Sequence, residues 1–288
     1  MTTVLTKNQE DILEKHGYGQ PVPVGEGSFS RVYRVSDRTG RFWACRVSEA
    51  TGRWEQECRN WKEIMHPLFP MYREQWTEGR TGYLVIEYWE GMDLCEFLKR
   101  RKRLSPEQVV FIAGQLAEGL RYLHERPHPF LYRDLKPENI RIRSNGKVGI
   151  LDLGCLWNRE QEWSGAGNRI YSAPEQFRPG EVPGEESDVY AVGKLLGVML
   201  GEDNGKVQNP KRCRGRRKTL KHCGRKQQRQ EKWLRRLGTM ATCGEREMRI
   251  PDMETLYRLL AVTDAPERER RHALQTADFY YIRKLYYP

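Results

Sequence analysis

The apolar pattern of this chain is mainly that of strands up to about Asp93 and mainly that of helices after it, so the chain cannot fold as one repeated unit or a uniform helical bundle. Before that point, residues 22–24, 31–35 and 41–47 are rich in β-branched and aromatic side chains, and turn-forming stretches at 25–30 and 36–40 separate them. This predicts three strands in a meander. A helical run over 53–65 stops at His66-Pro67, because the residue before a proline is steered out of the helical region, and residues 83–88 read as a further apolar strand. After Asp93, Ser105-Pro106-Glu107-Gln108 offers an N-cap, a proline at the first helical position and a glutamine at the third. Val109, Ile112, Ala113, Leu116, Leu120 and Leu123 follow at helical spacing and predict a long core helix. Asn145-Gly146, between the apolar runs 140–142 and 148–151, predicts a two-residue hairpin, and 187–200 and 253–260 predict later helices. The expectation is an α+β chain with a small β-rich lobe followed by a larger helical one, without repeats or flexible linkers.

A length of 288 residues suffices for one large domain or two modest ones, and 38% hydrophobic with 31% charged residues is the composition of a charged globular protein. The longest apolar stretch, 189–200, is broken by Lys194 and falls short of the roughly 20 residues a bilayer-spanning helix needs, so no membrane span is expected. The first residues, MTTVLTKNQEDILEKHG, lack the basic-then-apolar design of a secretory signal. Seven cysteines without regular spacing fit free thiols in a reducing interior, and a cytoplasmic location is expected. Cys213, His222, Cys223 and Cys243 contain no CxxC pair, which argues against zinc. The net charge of +11 is concentrated in residues 206–236, where 14 Lys/Arg stand against Glu231 alone. Such a block suggests an acidic partner, such as nucleic acid, anionic lipid or an acidic protein surface; the plainer reading is a solvated helical face.

Gly25-Glu26-Gly27-Ser28-Phe29-Ser30-Arg31-Val32 lies between two predicted strands, where glycines let backbone N–H groups approach phosphate oxygens. Alone, the segment is a weak signal and reads better as a plain turn. Tyr132-Arg133-Asp134-Leu135-Lys136-Pro137-Glu138-Asn139 sets an Asp, a Lys and an Asn at spacings of two and five just after the long helix. Eighteen residues past Asp134 comes Asp152-Leu153-Gly154, at the end of a hairpin strand. Two carboxylates and an amide so arranged can hold Mg²⁺ and orient a hydroxyl, as metal-assisted phosphoryl transfer requires. Either loop alone reads as turn-capping aspartates, but both in this order do not.

Over roughly residues 18–260 the chain resembles the eukaryotic-like (Hanks-type) Ser/Thr protein kinase family. YRDLKPEN looks like the catalytic loop HRDLKxxN, and DLG looks like DFG. Tyr171-Ser172-Ala173-Pro174-Glu175 is similar to the APE segment, Asp188-Val189-Tyr190-Ala191-Val192-Gly193 to the DxWxxG helix start, and Arg249 to the late arginine that pairs with the APE glutamate. APEQF and the YRDLKPEN loop look like bacterial members of the family. The resemblance implies a bilobal protein-kinase-like fold, with an extension over 1–17, an N-lobe over 18–87, a C-lobe over 88–262 that includes the basic segment 206–236, and a tail over 263–288 packed on the domain. It also implies transfer of the γ-phosphoryl group of ATP, with Mg²⁺, to a protein substrate. Lys136, in place of the Ala-containing loop of tyrosine kinases, points to Ser/Thr as acceptor. Asp134 would orient the substrate hydroxyl or accept its proton, Lys136 would steady the phosphate, and Asn139 and Asp152 would bind Mg²⁺. Gly25, Gly27, Ser28, Val32, Ala44, Arg46, Glu87 and Trp89 would surround the nucleotide, with Glu87–Trp89 as the hinge that meets adenine behind Ile86. Glu57, ten residues before Pro67, falls at the helix-C glutamate, although Glu55 and Glu63 leave a shift of register open.

The main departure is Arg46, which stands where the family motif VAIK has its lysine. Arginine keeps the charge but is a wide planar fork where lysine is a compact point charge. It could pair with Glu57 and still misplace the phosphates, so ATP binding is expected even where turnover is weakened. Ser30 for the third loop glycine, Tyr132 for the His of HRD and Leu153 for the Phe of DFG remove no catalytic group. Asn168 stands where the family usually has Thr, which leaves Ser164 as the sole Ser/Thr candidate for activation upstream of it; the preferred reading is a loop that orders unmodified, with an acid meeting Arg133. Cys155 reads as an inert thiol, and the aromatic tail with Phe279, Tyr280, Tyr281, Tyr286 and Tyr287 as packed on the domain. The alternative to a working kinase is a pseudokinase, a nucleotide- or protein-binding module with little turnover. A small-molecule kinase of related fold is disfavoured by the APE segment, Asp188 and Arg249.

Overall fold

A computed structural model of the chain describes residues 6–27, 30–101, 103–161, 166–202 and 224–276. It divides into two compact units, one comprising Met1–Gly91 with Leu151–Gly154, the other Met92–Ile150 with Cys155–Pro288.

In the first unit, five antiparallel strands lie in the order β1-β2-β3-β5-β4. They are β1 (Tyr18–Glu26), β2 (Ser30–Asp37), β3 (Phe42–Glu49), β4 (Tyr72–Glu78) and β5 (Thr81–Glu87). The predicted meander is β1 to β3, and the apolar run at 83–88 is β5. β4 has no apolar run; it is an edge strand paired with β5 alone, where one face needs no cover. Side chains alternate along β3, so Trp43, Cys45 and Val47 point to one face and Ala44 and Arg46 to the other. The first face packs with Tyr18, Tyr33, Val35, Tyr83 and Val85 into a core that Ile12 and Leu13 of α1 (Lys7–Lys15) complete. Thr6 and Gln9 close a capping box on α1, and beyond its end His16 stacks on Trp76 with ring centroids 3.8 Å apart. α2 (Gly52–Glu63) is capped by Thr51, whose side chain accepts from Trp54 N, and buries Trp54, Glu57, Cys58, Asn60 and Trp61.

The second unit is mainly helical. Its elements are the short sheet β6 (Gly91–Asp93), β7 (Ile140–Arg143) and β8 (Val148–Ile150), with helices α3 (Leu94–Arg101), α4 (Pro106–His124), α5 (Glu185–Met199), α6 (Arg225–Ala241), α7 (Met253–Ala261) and α8 (Glu267–Thr276). The predicted start of α4 is present: Gln108 N donates to Ser105 Oγ and Ser105 N to Gln108 Oε1. The hairpin between β7 and β8 differs from the expectation. Gly146 N donates to Arg143 O and Arg143 N to Lys147 O, which makes the loop Ser144-Asn145-Gly146, three residues, with Gly146 at φ 79°. A left-handed glycine at the third loop position closes this longer turn as a bulge, where the two-residue form would need positive φ at both central residues. The described part of the basic segment is α6, with Trp233, Leu234, Leu237 and Met240 in the core and Arg225, Arg229 and Lys232 exposed. Among the described residues no helix is long and apolar enough to cross a membrane. Cys213, His222, Cys223, Ser164 and the aromatic tail lie outside the described residues.

Leu13 has no exposed surface, so Leu13→Ala should cost about 2–4 kcal/mol in denaturant unfolding followed by tryptophan fluorescence. A loss under about 0.5 kcal/mol, as at a surface site, would show that α1 is not part of the core.

Candidate active site

In the first unit, the face of the sheet opposite α1 carries Arg46, whose neighbours across the strands are Val32 and Leu84. Arg46 Nη1 lies 2.7 Å from Glu57 Oε1 and 3.1 Å from Asp152 Oδ1. One guanidinium nitrogen thus bridges a carboxylate from α2 and one from the segment 151–154. Glu57 is the α2 acid that meets Arg46, whereas Glu55 and Glu63 are exposed. Burial pushes the Glu57 carboxyl up; Arg46 opposes that and Asp152 adds to it. The segment is tied to α2 because Asn60 Nδ2 donates to the buried Leu153 O at 3.2 Å, while Gly154 N donates to Asp152 Oδ1 at 2.8 Å.

Of the other residues expected around a nucleotide in this unit, Gly25, Val32, Ala44 and Glu87 lie on β1, β2, β3 and β5, with Gly27 and Trp89 just beyond the ends of β1 and β5. Gly25 faces Val32 across β1 and β2, and Gly27 N donates to Ser30 O at 2.8 Å to close the glycine turn. Ser28 lies outside the described residues. Ala44 is paired with Ile86, Glu87 N is committed to Met71 O at 2.8 Å, and Trp89 is buried.

In the second unit, the 3-10 turn at Pro137–Asn139 folds Asn139 back over Asp134, which is why a spacing of five brings the two together. Asn139 Nδ2 donates to Asp134 O at 2.9 Å and to Asp134 Oδ2 at 3.2 Å. Lys136 Nζ donates to the same Oδ2 at 2.6 Å. The nearly buried Asp134 carboxylate is therefore oriented by a cation and an amide from its own loop.

The backbone entering this loop is strained. Arg133 has φ 69° and Asp134 N donates to Tyr132 O at 2.9 Å, a γ-turn of the rare positive-φ kind, costing about 1–3 kcal/mol. Asp188, in the first turn of α5, holds it: Oδ2 accepts from Tyr132 N and Oδ1 from Arg133 N, both at 2.8 Å. His124 Nε2 is 2.8 Å from Asp188 Oδ2, and its Nδ1 is 3.5 Å from Glu185, an ion-pair distance too long for a good hydrogen bond. Burial would lower the His124 pKa, but the hydrogen bond to Asp188 and the nearby Glu185 carboxylate outweigh it and raise the value to about 9. Sequence reasoning missed His124; its signal was a polar side chain in the last turn of an otherwise apolar helix face.

Further along, Glu175 and Arg249 form the expected pair with no exposed side-chain surface on either partner. Arg249 Nη1 and Nη2 meet the two carboxylate oxygens at 2.5 and 2.9 Å, and Ser187 Oγ donates to Glu175 Oε1 at 2.7 Å. Burial alone would raise the Glu175 pKa; these bonds hold it below the usual carboxylate range.

A profile of the protein kinase domain family matches residues 18–245. The chain is 31% identical over 187 residues to the human cAMP-dependent protein kinase catalytic subunit PRKX, covering 62% of this chain and 51% of that one. It is 30% identical to the mouse serine/threonine-protein kinase tousled-like 2, covering 60% of this chain and 28% of that one. It is 28% identical to the Saccharomyces cerevisiae cell cycle serine/threonine-protein kinase CDC5/MSD2, covering 69% and 30%. The chain thus spans about half the length of PRKX and under a third of the other two.

The His124 pair sets a pH dependence. The folded-state value of about 9 lies above that of an unfolded histidine, about 6.5. Its stabilisation is therefore complete below pH about 6.5 and lost as pH rises through about 9, a change of order 3 kcal/mol. Unfolding titrations at several pH values should show this fall in the wild type and a flatter profile in His124→Gln; identical profiles would refute the assignment.

Proposed function

This chain belongs to the protein kinase domain family, and from that premise we propose that it transfers the γ-phosphoryl group of ATP, with Mg²⁺, to a Ser or Thr hydroxyl of a protein substrate. The observation that carries the reading is the Asp134 carboxylate, held by Lys136 and Asn139 directly after the γ-turn. A carboxylate so fixed can orient an incoming hydroxyl and take its proton, and Lys136 keeps a positive charge beside it where phosphate charge develops. By donor chemistry each residue suits the cation: Asp152 of the first unit offers a carboxylate, and Asn139 of the second, bonded to Asp134 through Nδ2, has its amide oxygen to give, and both are hard oxygen donors of the kind Mg²⁺ takes alongside phosphates. Bound Mg²⁺ supplies charge neutralisation on the phosphates. Gly25, Gly27, Ser28, Val32 and Ala44 would contact the nucleotide, with the backbone of Glu87 and Trp89 meeting adenine. Arg46 and Glu57 would set the phosphates.

A second reading, a nucleotide- or protein-binding module with little turnover, is favoured by one contact. Arg46 Nη1 lies 3.1 Å from Asp152 Oδ1 and so engages one of the two carboxylate oxygens this residue could offer a cation. Two further parts of the proposal rest on composition and surface. The free thiols Cys45, Cys58, Cys95, Cys155 and Cys243 support a cytoplasmic location. The exposed Arg225, Arg229 and Lys232 of α6 form no ion pair among the described residues, which supports an acidic partner, nucleic acid first.

Transfer from radiolabelled ATP to the protein itself and to generic Ser/Thr substrates should fall by about 10²-fold or more in Asp134→Asn. Silence of the wild type with a gain in Arg46→Lys would give the second reading its place, and silence of all three proteins would overturn the kinase proposal. Binding to a single-stranded RNA or a DNA duplex should weaken steeply with salt; no binding at low salt would remove the nucleic-acid partner.

A further inference from the structure

Asp188 fixes the γ-turn from its N–H side, but the carbonyl of Arg133 is held from elsewhere. Arg133 O accepts two hydrogen bonds, from Ser172 Oγ at 3.0 Å and from Gln176 Nε2 at 3.0 Å. Both donors are buried, Gln176 to 1% exposure. The second N–H of the Gln176 amide goes to Ala166 O at 2.9 Å, and its Oε1 accepts from Ala173 N at 3.2 Å. Every polar group of that side chain is thus engaged, so only a carboxamide satisfies the position: a carboxylate would face two carbonyl oxygens, and a thioether can donate nothing. The surroundings are closed. Gly167 sits at φ 119°, and a Cβ there would lie 2.6 Å from Arg133 O and also collide with Ser172 Oγ.

From this geometry we infer that Gln176, assisted by Ser172, is a positioning residue for Asp134. The two donors fix the plane of the peptide joining Arg133 to Asp134, and that plane sets the direction in which the Asp134 side chain leaves the backbone. Without them the strained turn can relax at its carbonyl end even while Asp188 grips its N–H groups. A carboxylate displaced by about 1 Å lowers a rate about 10²-fold while binding of the other substrate persists.

This inference rests on the phosphotransfer reading for its kinetic consequence, so the test has two readouts. In Gln176→Met, similar in length but unable to donate, kcat should fall about 10- to 100-fold with KM for ATP within about twofold. Ser172→Ala should act in the same direction but less. Amide hydrogen exchange at residues 132–134, which needs no turnover, should quicken in Gln176→Met relative to the amides of α4 and α7. Unchanged exchange at 132–134 overturns the inference, whatever the activity does. A fall in kcat that only follows a loss of folded protein, with exchange raised evenly through the unit, overturns it too. A wild type with no transfer but with faster exchange at 132–134 in the variant retires the phosphotransfer reading and leaves the positioning contact standing.

Discussion

One buried carboxylate organises the helical unit. Asp188 has no exposed surface, and an isolated charge in that position would be strongly unfavourable. It is tolerated because both oxygens are used, on two consecutive backbone N–H groups and on the His124 imidazole, and because it lies in the first turn of α5, where the helix dipole favours an anion. Charge-assisted bonds contribute about 1.5–3 kcal/mol each, more than the strain they sustain at Arg133. The end of α4, the start of α5 and the turn before Asp134 are thereby held by a single group.

The first unit solves an electrostatic problem of the opposite sign. Glu57 and Asp152 converge on one cation, and two carboxylates close together disfavour each other's ionised form. A lysine would meet them as a point charge with rotatable donors; Arg46 brings a planar fork whose orientation is set by the first carboxylate it engages. The cation that steadies Glu57 also occupies an oxygen of Asp152, so stability of this cluster and availability of Asp152 pull against each other.

The sequence revealed those parts whose signal is local. Periodicity, caps and proline placed β1 to β3, β5, α2 and α4, and spacing placed Asp134, Lys136 and Asn139 in one turn. α1 was hidden because only Ile12 and Leu13 of its nine residues are buried, and β4 because an edge strand with one covered face needs no apolar run. The hairpin was found but its loop was misjudged by one residue, since Asn-Gly suits both the two-residue turn and the bulged form. The roles of His124 and Gln176 were out of reach, because each depends on partners about 40 to 60 residues away whose approach only the fold decides.

The buried Glu175–Arg249 pair bears on the same loop by a longer route. A buried ion pair is weak evidence for stability, since well-packed apolar residues often do as well, and its use must be sought in geometry. Glu175 sits in the 3-10 turn Pro174–Phe177, and with both oxygens bound by Arg249 and Ser187 that turn has one orientation available. Gln176 is the next residue, so its side chain leaves the turn on the other side and meets the Arg133 carbonyl. An apolar pair could fill the same volume while leaving the turn free to rotate, and the two donors on Arg133 would then be lost. The ion pair thus imposes a direction, with Asp188 holding the N–H side of the γ-turn and Glu175, through its neighbour, bearing on the carbonyl side.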